Sequence, residues 1–181
     1  MIDKRGRLVG IVSEGDLLHA SPSDATSLSV YEVHYLLSKL TVKGVMSNNV
    51  ITVAEDTPLE EAARIMADNK IGGLPVVRDN EVVGIITETD LFKIFLELLG
   101  AREPGIRVAA LVPNVPGELN QLTQAISNVG GNILSFGTFL GSSSENREVT
   151  FKVEGVNEQA LQKAVGPYVE RIVDIRETQF T

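Results

Sequence analysis

The sequence predicts a mixed α+β (α/β) fold in two parts: a β-α-β-β-α unit, present once whole and once in part, followed by a βαββαβ domain. Three observations carry that reading. Residues 82–92 (VVGIITETDLF) repeat residues 8–18 (LVGIVSEGDLL) without a gap, with six of eleven positions identical and four more exchanged for a similar residue. A match that dense, 74 residues apart, is an internal duplication, and it organises the first half of the chain. Beyond residue 106 the pattern changes to four strand-like runs interleaved with two helical ones, after a breaker-rich boundary at Gly100-Ala101-Arg102-Glu103-Pro104-Gly105.

In chain order, residues 7–13 read as a strand and 14–19 as the first turns of a helix. Residues 20–27 (ASPSDATS) form a polar, breaker-rich linker. Residues 29–40 carry Val30, Val33, Leu36, Leu37 and Leu40 at helical spacing, which predicts one buried stripe. A short strand follows at 49–54. Thr57-Pro58-Leu59-Glu60 predicts the next helix start, with Thr57 as cap, Pro58 first in the helix and Glu60 closing a capping box. The inward stripe of that helix is Leu59, Ala62, Ala63 and Met66. Strands at 74–77 and 81–86 join through Asp79-Asn80, a hairpin turn. The helix after them, with Phe92, Ile94, Phe95, Leu96, Leu98 and Leu99, is apolar nearly all round, which predicts cover on more than one side.

After the boundary, residues 107–112 are a strand. Pro116-Gly117-Glu118 opens a helix bearing Leu119, Leu122, Ala125, Ile126 and Val129, stopped by Gly130-Gly131. Residues 132–140 are a strand, 141–146 a loop, and Val149, Phe151 and Val153 alternate along a third strand. Val156-Asn157 leads into a helix with Leu161, Ala164 and Val165, ended by Gly166-Pro167, and 171–176 is the last strand. The order βαββαβ implies a four-stranded sheet backed by two helices.

Composition narrows the function classes. The 181 residues hold no cysteine, so neither disulfides nor thiolate metal sites are available. The net charge of −8, with scattered basic residues, disfavours binding along a phosphate backbone. The chain contains no apolar run near the roughly 18 residues of a membrane span. The charged start, Met1-Ile2-Asp3-Lys4-Arg5, lacks a secretory apolar core, and the expected location is cytoplasmic. His19 and His34 stand apart without metal-ligand spacing. The sequence has no G-x-S-x-G, P-loop or G-x-G-x-x-G motif, so no catalytic residue and no metal site is assigned.

Val45-Met46-Ser47, then Val50-Ile51-Thr52-Val53, Thr57-Pro58-Leu59-Glu60-Glu61-Ala62, Ile71-Gly72-Gly73-Leu74-Pro75-Val76-Val77 and residues 84–91 together resemble a complete CBS domain. The resemblance implies a CBS-domain pair divided as 1–27 (the C-terminal part of repeat one), 28–42 (a linker helix) and 43–99 (repeat two). By the 74-residue offset Met1 aligns with Pro75, so the counterpart of residues 43–74 is expected upstream of Met1, or lost. In that family the two repeats pair about a pseudo-twofold axis, and the clefts between them bind adenosine-containing ligands. Carried onto this chain, Ser13 and Asp16 would face Met46, Val50, Ile51, Ile71, Gly72, Gly73, Leu74 and Pro75. Thr87 and Asp90 would face the missing segment.

The chemistry such a cleft needs is simple. One carboxylate offers two acceptor oxygens for a ribose diol. The Ser or Thr three residues earlier can bond the sugar or a phosphate. Adenine lies between apolar strands, and the glycines at 72 and 73 let its edge approach the backbone. The competing reading is local: Ser/Thr-x-x-Asp before an apolar helix is also an ordinary capping box, with the acid favoured at the positive helix end.

The second part, 106–178, with Val112-Pro113-Asn114-Val115-Pro116-Gly117-Glu118-Leu119, resembles an ACT domain, a ferredoxin-like module that often senses amino acids. This implies pairing between chains and a ligand near Asn114, Gly117, Asn132 and Ile133. Asn114 stands where that family often has an acid. A CBS pair followed by an ACT domain resembles the acetoin-utilisation protein B group, which implies a bacterial regulatory protein and supplies no reaction. The expectation is therefore a non-catalytic, homodimeric sensor of an adenine nucleotide or S-adenosylmethionine that acts on a partner enzyme, with no nucleic acid and no membrane partner. The alternative is a dimerising scaffold that binds no small molecule.

Overall fold

The structure, a computed structural model, describes residues 1–22 and 27–179, and it divides into two compact units, Met1–Leu91 and Phe92–Thr181. Part of the expected linker, residues 23–26, lies outside the described residues.

In the first unit the expected strand at 7–13 does not form as a regular element. It makes isolated bridges instead, Ile2 to Leu8, Arg7 to Glu81 and Ile11 to Ser47. The reason is a missing neighbour. The same phrase in repeat two pairs continuously with a preceding strand, and no described segment offers that edge to repeat one. Helix α1 (Glu14–Ala20) follows, capped by Ser13. Helix α2 (Val30–Lys39) is capped by Ser29, with Glu32 reaching back to close a capping box. The single turn α3 (Val42–Val45), capped by Thr41, was not expected. The stripe on α2 is not buried within this chain, since Val30 is 68% and Leu36 47% exposed.

Strand β1 is only Val53–Ala54, because pairing is confined to Val53 opposite Val76 and Ala54 opposite Val77 on β2. Helix α4 (Leu59–Asn69) begins one residue later than the sequence suggested. Pro58 is its cap, with ψ at 144° and no side-chain cap bond, so Thr57 caps nothing and Glu60 closes no box. The Pro58 carbonyl takes the amides of Glu61 and Ala62 instead. Of the expected stripe, Ala62 and Met66 are buried while Leu59 is 44% exposed. Strands β2 (Gly73–Arg78) and β3 (Glu81–Thr87) form the hairpin as read, completing the sheet order β1-β2-β3. Asp79 and Asn80 both take left-handed φ, 49° and 68°, which suits the twist of a two-residue hairpin loop. The core of this unit is Val53, Ala62, Met66 and Leu74, flanked by half-buried Ile71, Val76, Ile86 and Leu91. Helix α5 (Glu88–Leu98) begins in this unit and ends in the next, and none of its residues is buried.

The second unit follows the sequence closely: β4 (Gly105–Pro113), α6 (Glu118–Asn128), β5 (Asn132–Leu140), β6 (Asn146–Glu154), α7 (Glu158–Val165) and β7 (Arg171–Thr178). Its sheet runs β5-β6-β4-β7 with every pair antiparallel, the arrangement of a ferredoxin-like βαββαβ unit. Alternate residues of β4 and β6 meet Leu122, Ile126, Leu161 and Val165 of the helices in a core of eleven buried residues. Phe136 stacks on Phe151, with centroids 5.7 Å apart.

Candidate functional site

Each copy of the duplicated phrase ends in the same local structure. The extended run delivers Ser13 with φ −109° and ψ 168°, and α1 starts on it. Asp16 turns back, and its Oδ2 accepts both the Ser13 amide and the Ser13 hydroxyl at 2.7 Å. In the second copy Asp90 Oδ2 accepts the Thr87 amide at 3.0 Å and the Thr87 hydroxyl at 2.6 Å. Both motifs are thus genuine capping boxes. The donated bonds, first from the Ser13 hydroxyl and then from its backbone, hold the Asp16 carboxyl below the ordinary carboxylate range, so it is ionised at neutral pH.

This geometry corrects the simple picture of a carboxylate with both oxygens open. Oδ2 of Asp16 is committed to the cap, and Oδ1 accepts no bond among the described residues. A ribose diol on Asp16 would sit on Oδ1. Ser13 Oγ donates its proton to the carboxylate and accepts the Asp16 amide at 3.3 Å, so it too is engaged in the cap.

The structure brings part of the expected set together. Ile11 and Ser47 exchange two backbone bonds, 3.0 and 2.9 Å, which joins the tail of repeat one to the head of repeat two beside Ser13. Met46 closes over Gly10: a Cβ there would lie 2.6 Å from the Met46 sulfur. Met46 therefore packs on the strand leading to Ser13, half-buried. Val50 and Ile51 run into β1, and β1 lies parallel to β2 with Val53 opposite Val76, so Ile51 approaches the Gly73 end of β2. Gly73 pairs with Thr87 across the hairpin. Ile71 is half-buried against the core, and Gly72 is exposed. Pro75 is buried and Leu74 lies wholly inside the core, backbone included, so Leu74 offers no surface to a ligand, contrary to the expectation from sequence. No described hydrogen bond ties Asp16 to Ile71 or Gly72.

One residue near this stretch escaped the sequence reading. Glu88 donates its amide to the Gly72 carbonyl at 3.1 Å, and a Cβ on Gly72 would lie 3.6 Å from its carboxylate. The signal was present in the duplication, since Glu14 and Glu88 occupy the same place in the two copies.

The residues expected to hold a ligand in the second unit do not form one site within the chain. Pro113, next to Asn114, pairs with Asn146, while Ile133 pairs with Val153 and Asn132 with Glu154. Those ends lie seven residue steps apart along β6, from Asn146 to Val153, about 24 Å at strand spacing. Asn114 instead bonds the Ser144 carbonyl at 3.1 Å and accepts from Arg147, at a cavity of 280 Å³ also lined by Leu140 and Ser143. Asn132 donates to Glu154 at 2.7 Å. Gly117 has φ 92° and serves as the cap of α6, a role that needs glycine. His19 Nδ1 lies 2.6 Å from the Gly15 carbonyl on its own helix. No group of three potential metal ligands occurs among the described residues, and no helix there is long and apolar enough to cross a membrane.

The duplicated strand–turn–helix and its β-α-β frame define the class of protein. The family model described as CBS domain matches residues 42–97. An uncharacterized protein of Methanocaldococcus jannaschii is 33% identical over 116 residues, which cover 51% of this chain and 69% of that protein. The chain belongs to the CBS-domain family. Among solved structures it is similar to a CBS domain pair in complex with 5-methylthioadenosine and S-adenosyl-L-methionine, at 34% identity and a TM-score of 0.42, covering 52% of this chain and 66% of that one. A structure described as an acetoin utilization protein of Vibrio cholerae shows 37% identity and a TM-score of 0.43, covering 56% and 68%. The chain spans only 16% of an L-aspartate semialdehyde sulfurtransferase of Methanocaldococcus jannaschii, to which it is 34% identical over 96 residues, 52% of this chain.

Proposed function

We propose that this chain is a non-catalytic regulatory module that binds an adenosyl ligand (AMP, ADP, ATP or S-adenosylmethionine) beside Ser13 and Asp16. In this reading residues 1–27, 28–42 and 43–99 form the CBS-type part and 106–178 an ACT domain. The observation that carries it is the Asp16 carboxylate, ionised, held in place by the Ser13 cap and keeping Oδ1 for a sugar diol. Family membership supports the class of ligand, and the Ile11–Ser47 bridge supports the placing of Ser13 next to Met46. Ligand would act as a signal by binding one arrangement of the module better than another. The module would work in the cytoplasm, as a homodimer in the manner of the acetoin-utilisation protein B group, and report to a partner enzyme. An amino-acid effector at the second unit would draw on Asn114 and its cavity, with Asn132 coming from elsewhere than the same site.

The test is a thermal melt with each of the four compounds at millimolar concentration. The melting temperature rises with at least one of them, and Asp16→Ala removes the rise without unfolding the protein. No shift with any of the four overturns the reading.

One set of observations favours a second reading, a dimerising scaffold without a small molecule. Tyr31 is 88%, Tyr35 63% and Phe92 67% exposed, so α2 and α5 carry uncovered apolar surface. In that case the oligomeric state and the melting temperature stay fixed through every titration.

A further inference from the structure

Helix α2 is ten residues long and closed by a capping box, yet none of its residues is buried. A helix of that length is marginal in water unless packing supports it. One flank has local support, since Leu36, Leu37 and Leu40 line a hollow with Ala20, Ser21 and Pro22. The rest of its apolar surface stands open. Tyr31 and Tyr35 are 88% and 63% exposed, and with Leu28 and Glu32 they line a second, shallow hollow.

At the helical period Tyr31, Glu32, Tyr35 and Lys39 fall within about 100° of the circumference, so they form one stripe. Tyr35 lies near its centre, and Glu32 and Lys39 share one edge. Glu32 Oε2 accepts the Ser29 amide at 2.8 Å and the Ser29 hydroxyl at 2.7 Å. These bonds, the hydroxyl's first, hold the carboxyl below its ordinary range, so it is ionised at neutral pH. Lys39 Nζ lies over the Tyr35 ring, 5.2 Å from its centroid.

A carboxylate near the start of the stripe and an ammonium near its end complement a second copy that runs the opposite way. A twofold axis between residues 35 and 36 keeps each edge on its own side, so Glu32 of each copy meets the partner's Lys39. The opposed helix dipoles agree with that direction. Parallel pairing would instead set carboxylate against carboxylate and ammonium against ammonium.

We infer that α2 docks antiparallel on α2 of a second copy of this chain, with Tyr35 at the centre and two Glu32–Lys39 pairs at the ends. The inference rests on the homodimer part of the reading above and deepens it by naming the surface. It depends on no ligand. Ten residues a side are fewer than the roughly 20–30 of a standard interface, so this contact by itself is weak and concentration-dependent.

The chain holds no cysteine, so a single introduced thiol reports the contact without interference. The experiment is mild oxidation of the whole chain, at submillimolar concentration, carrying Tyr35→Cys or Tyr31→Cys. Beside the axis the two thiols come within bridging range, whereas at position 31 the copies are offset by about 14 Å along the helix, beyond a disulfide's reach. Tyr35→Cys therefore links at least about tenfold faster than Tyr31→Cys, although Tyr31 is the more exposed. Equal rates overturn the inference, because random collision or parallel pairing would link both, and so does the absence of any link at Tyr35→Cys. In the Tyr35→Cys background, Lys39→Glu or Glu32→Lys sets like charges together at both ends and slows linking, and an equimolar mixture of the two variants restores it. Linking that neither variant slows, or that the mixture does not restore, overturns the inference. Restoration also shows that both variants keep α2 folded. Light scattering on the unmodified protein separates the two failures. A dimeric mass without a Tyr35→Cys link removes α2 from the interface and leaves the homodimer reading standing, while a monomeric mass removes both.

Discussion

Leu74→Ala and Leu122→Ala are chemically identical truncations of wholly buried leucines, and the structure predicts unequal costs. Leu→Ala in a core costs about 2–5 kcal/mol, with the position in that range set by how far neighbours collapse into the space. Leu122 sits among eleven buried residues, between two helices and a four-stranded sheet, where the packing has little freedom to relax. Its truncation should cost about 4–5 kcal/mol. Leu74 has only Val53, Ala62 and Met66 as fully buried companions, and its other neighbours Ile71, Val76, Ile86 and Leu91 are half-exposed and free to shift inward. Its truncation should cost about 2–3 kcal/mol. Hydrogen exchange is the suitable assay, because the slowest amides of β2 and of β6 each report the opening of their own core. A Leu74→Ala cost equal to or above that of Leu122→Ala would refute the reasoning, and would mean that the smaller core is as tightly constrained as the larger one.

Other outcomes follow from the capping boxes and the glycines. By carboxyl NMR, Asp16 titrates below the ordinary carboxylate range, and Ser13→Ala moves it up toward that range, since the hydroxyl is the main cause of the depression. The sign is that of a depressed acid. The cap's contribution is present above the unfolded-state pKa and is lost as pH falls through the folded one, so α1 loosens on acidification. A titration unmoved by Ser13→Ala would remove the cap from the account. Gly10→Ala and Gly84→Ala stand at equivalent places in the duplication but should differ by thermal melting. The first puts a Cβ 2.6 Å from the Met46 sulfur and 3.0 Å from the Ser47 carbonyl, while the second meets Val76 at an ordinary 3.9 Å. Gly10→Ala therefore lowers the melting temperature more than Gly84→Ala does, and equal effects would show that Met46 does not rest on Gly10.

The four strands and two helices after residue 105 were legible because their signals are local and agree. Val149, Phe151 and Val153 alternate, Leu122 and Ile126 share a helix face, and Gly117 and Gly130 mark turns that need positive φ. The hairpin at Asp79 and Asn80 and the box at Ser13 and Asp16 were legible for the same reason, since each is closed by residues at most three apart. Where a partner lies far along the chain, the sequence had no means to say. Residues 7–13 have strand composition, yet a strand needs a continuous neighbour and finds, among the described residues, isolated bridges to Ile2, Glu81 and Ser47. Pro58 could open α4 or precede it, and its ψ was settled by the carbonyl that takes two amides. Asn114 and Asn132 look adjacent as motif positions and lie at opposite ends of a sheet, because register, and not spacing in sequence, sets distance across strands. Lys152 reads as one more surface lysine between apolar neighbours, and only the fold of the 100–103 turn over β6 makes it a buried clamp. Composition and periodicity thus determined which segments are helix or strand, and the motifs at 45–53, 57–62, 71–77 and 84–91 carried the resemblance to the family that the first half joins. Tertiary structure decided which polar atoms are already spent on holding the chain together, as Asp16 Oδ2 and Ser13 Oγ are in the cap of α1.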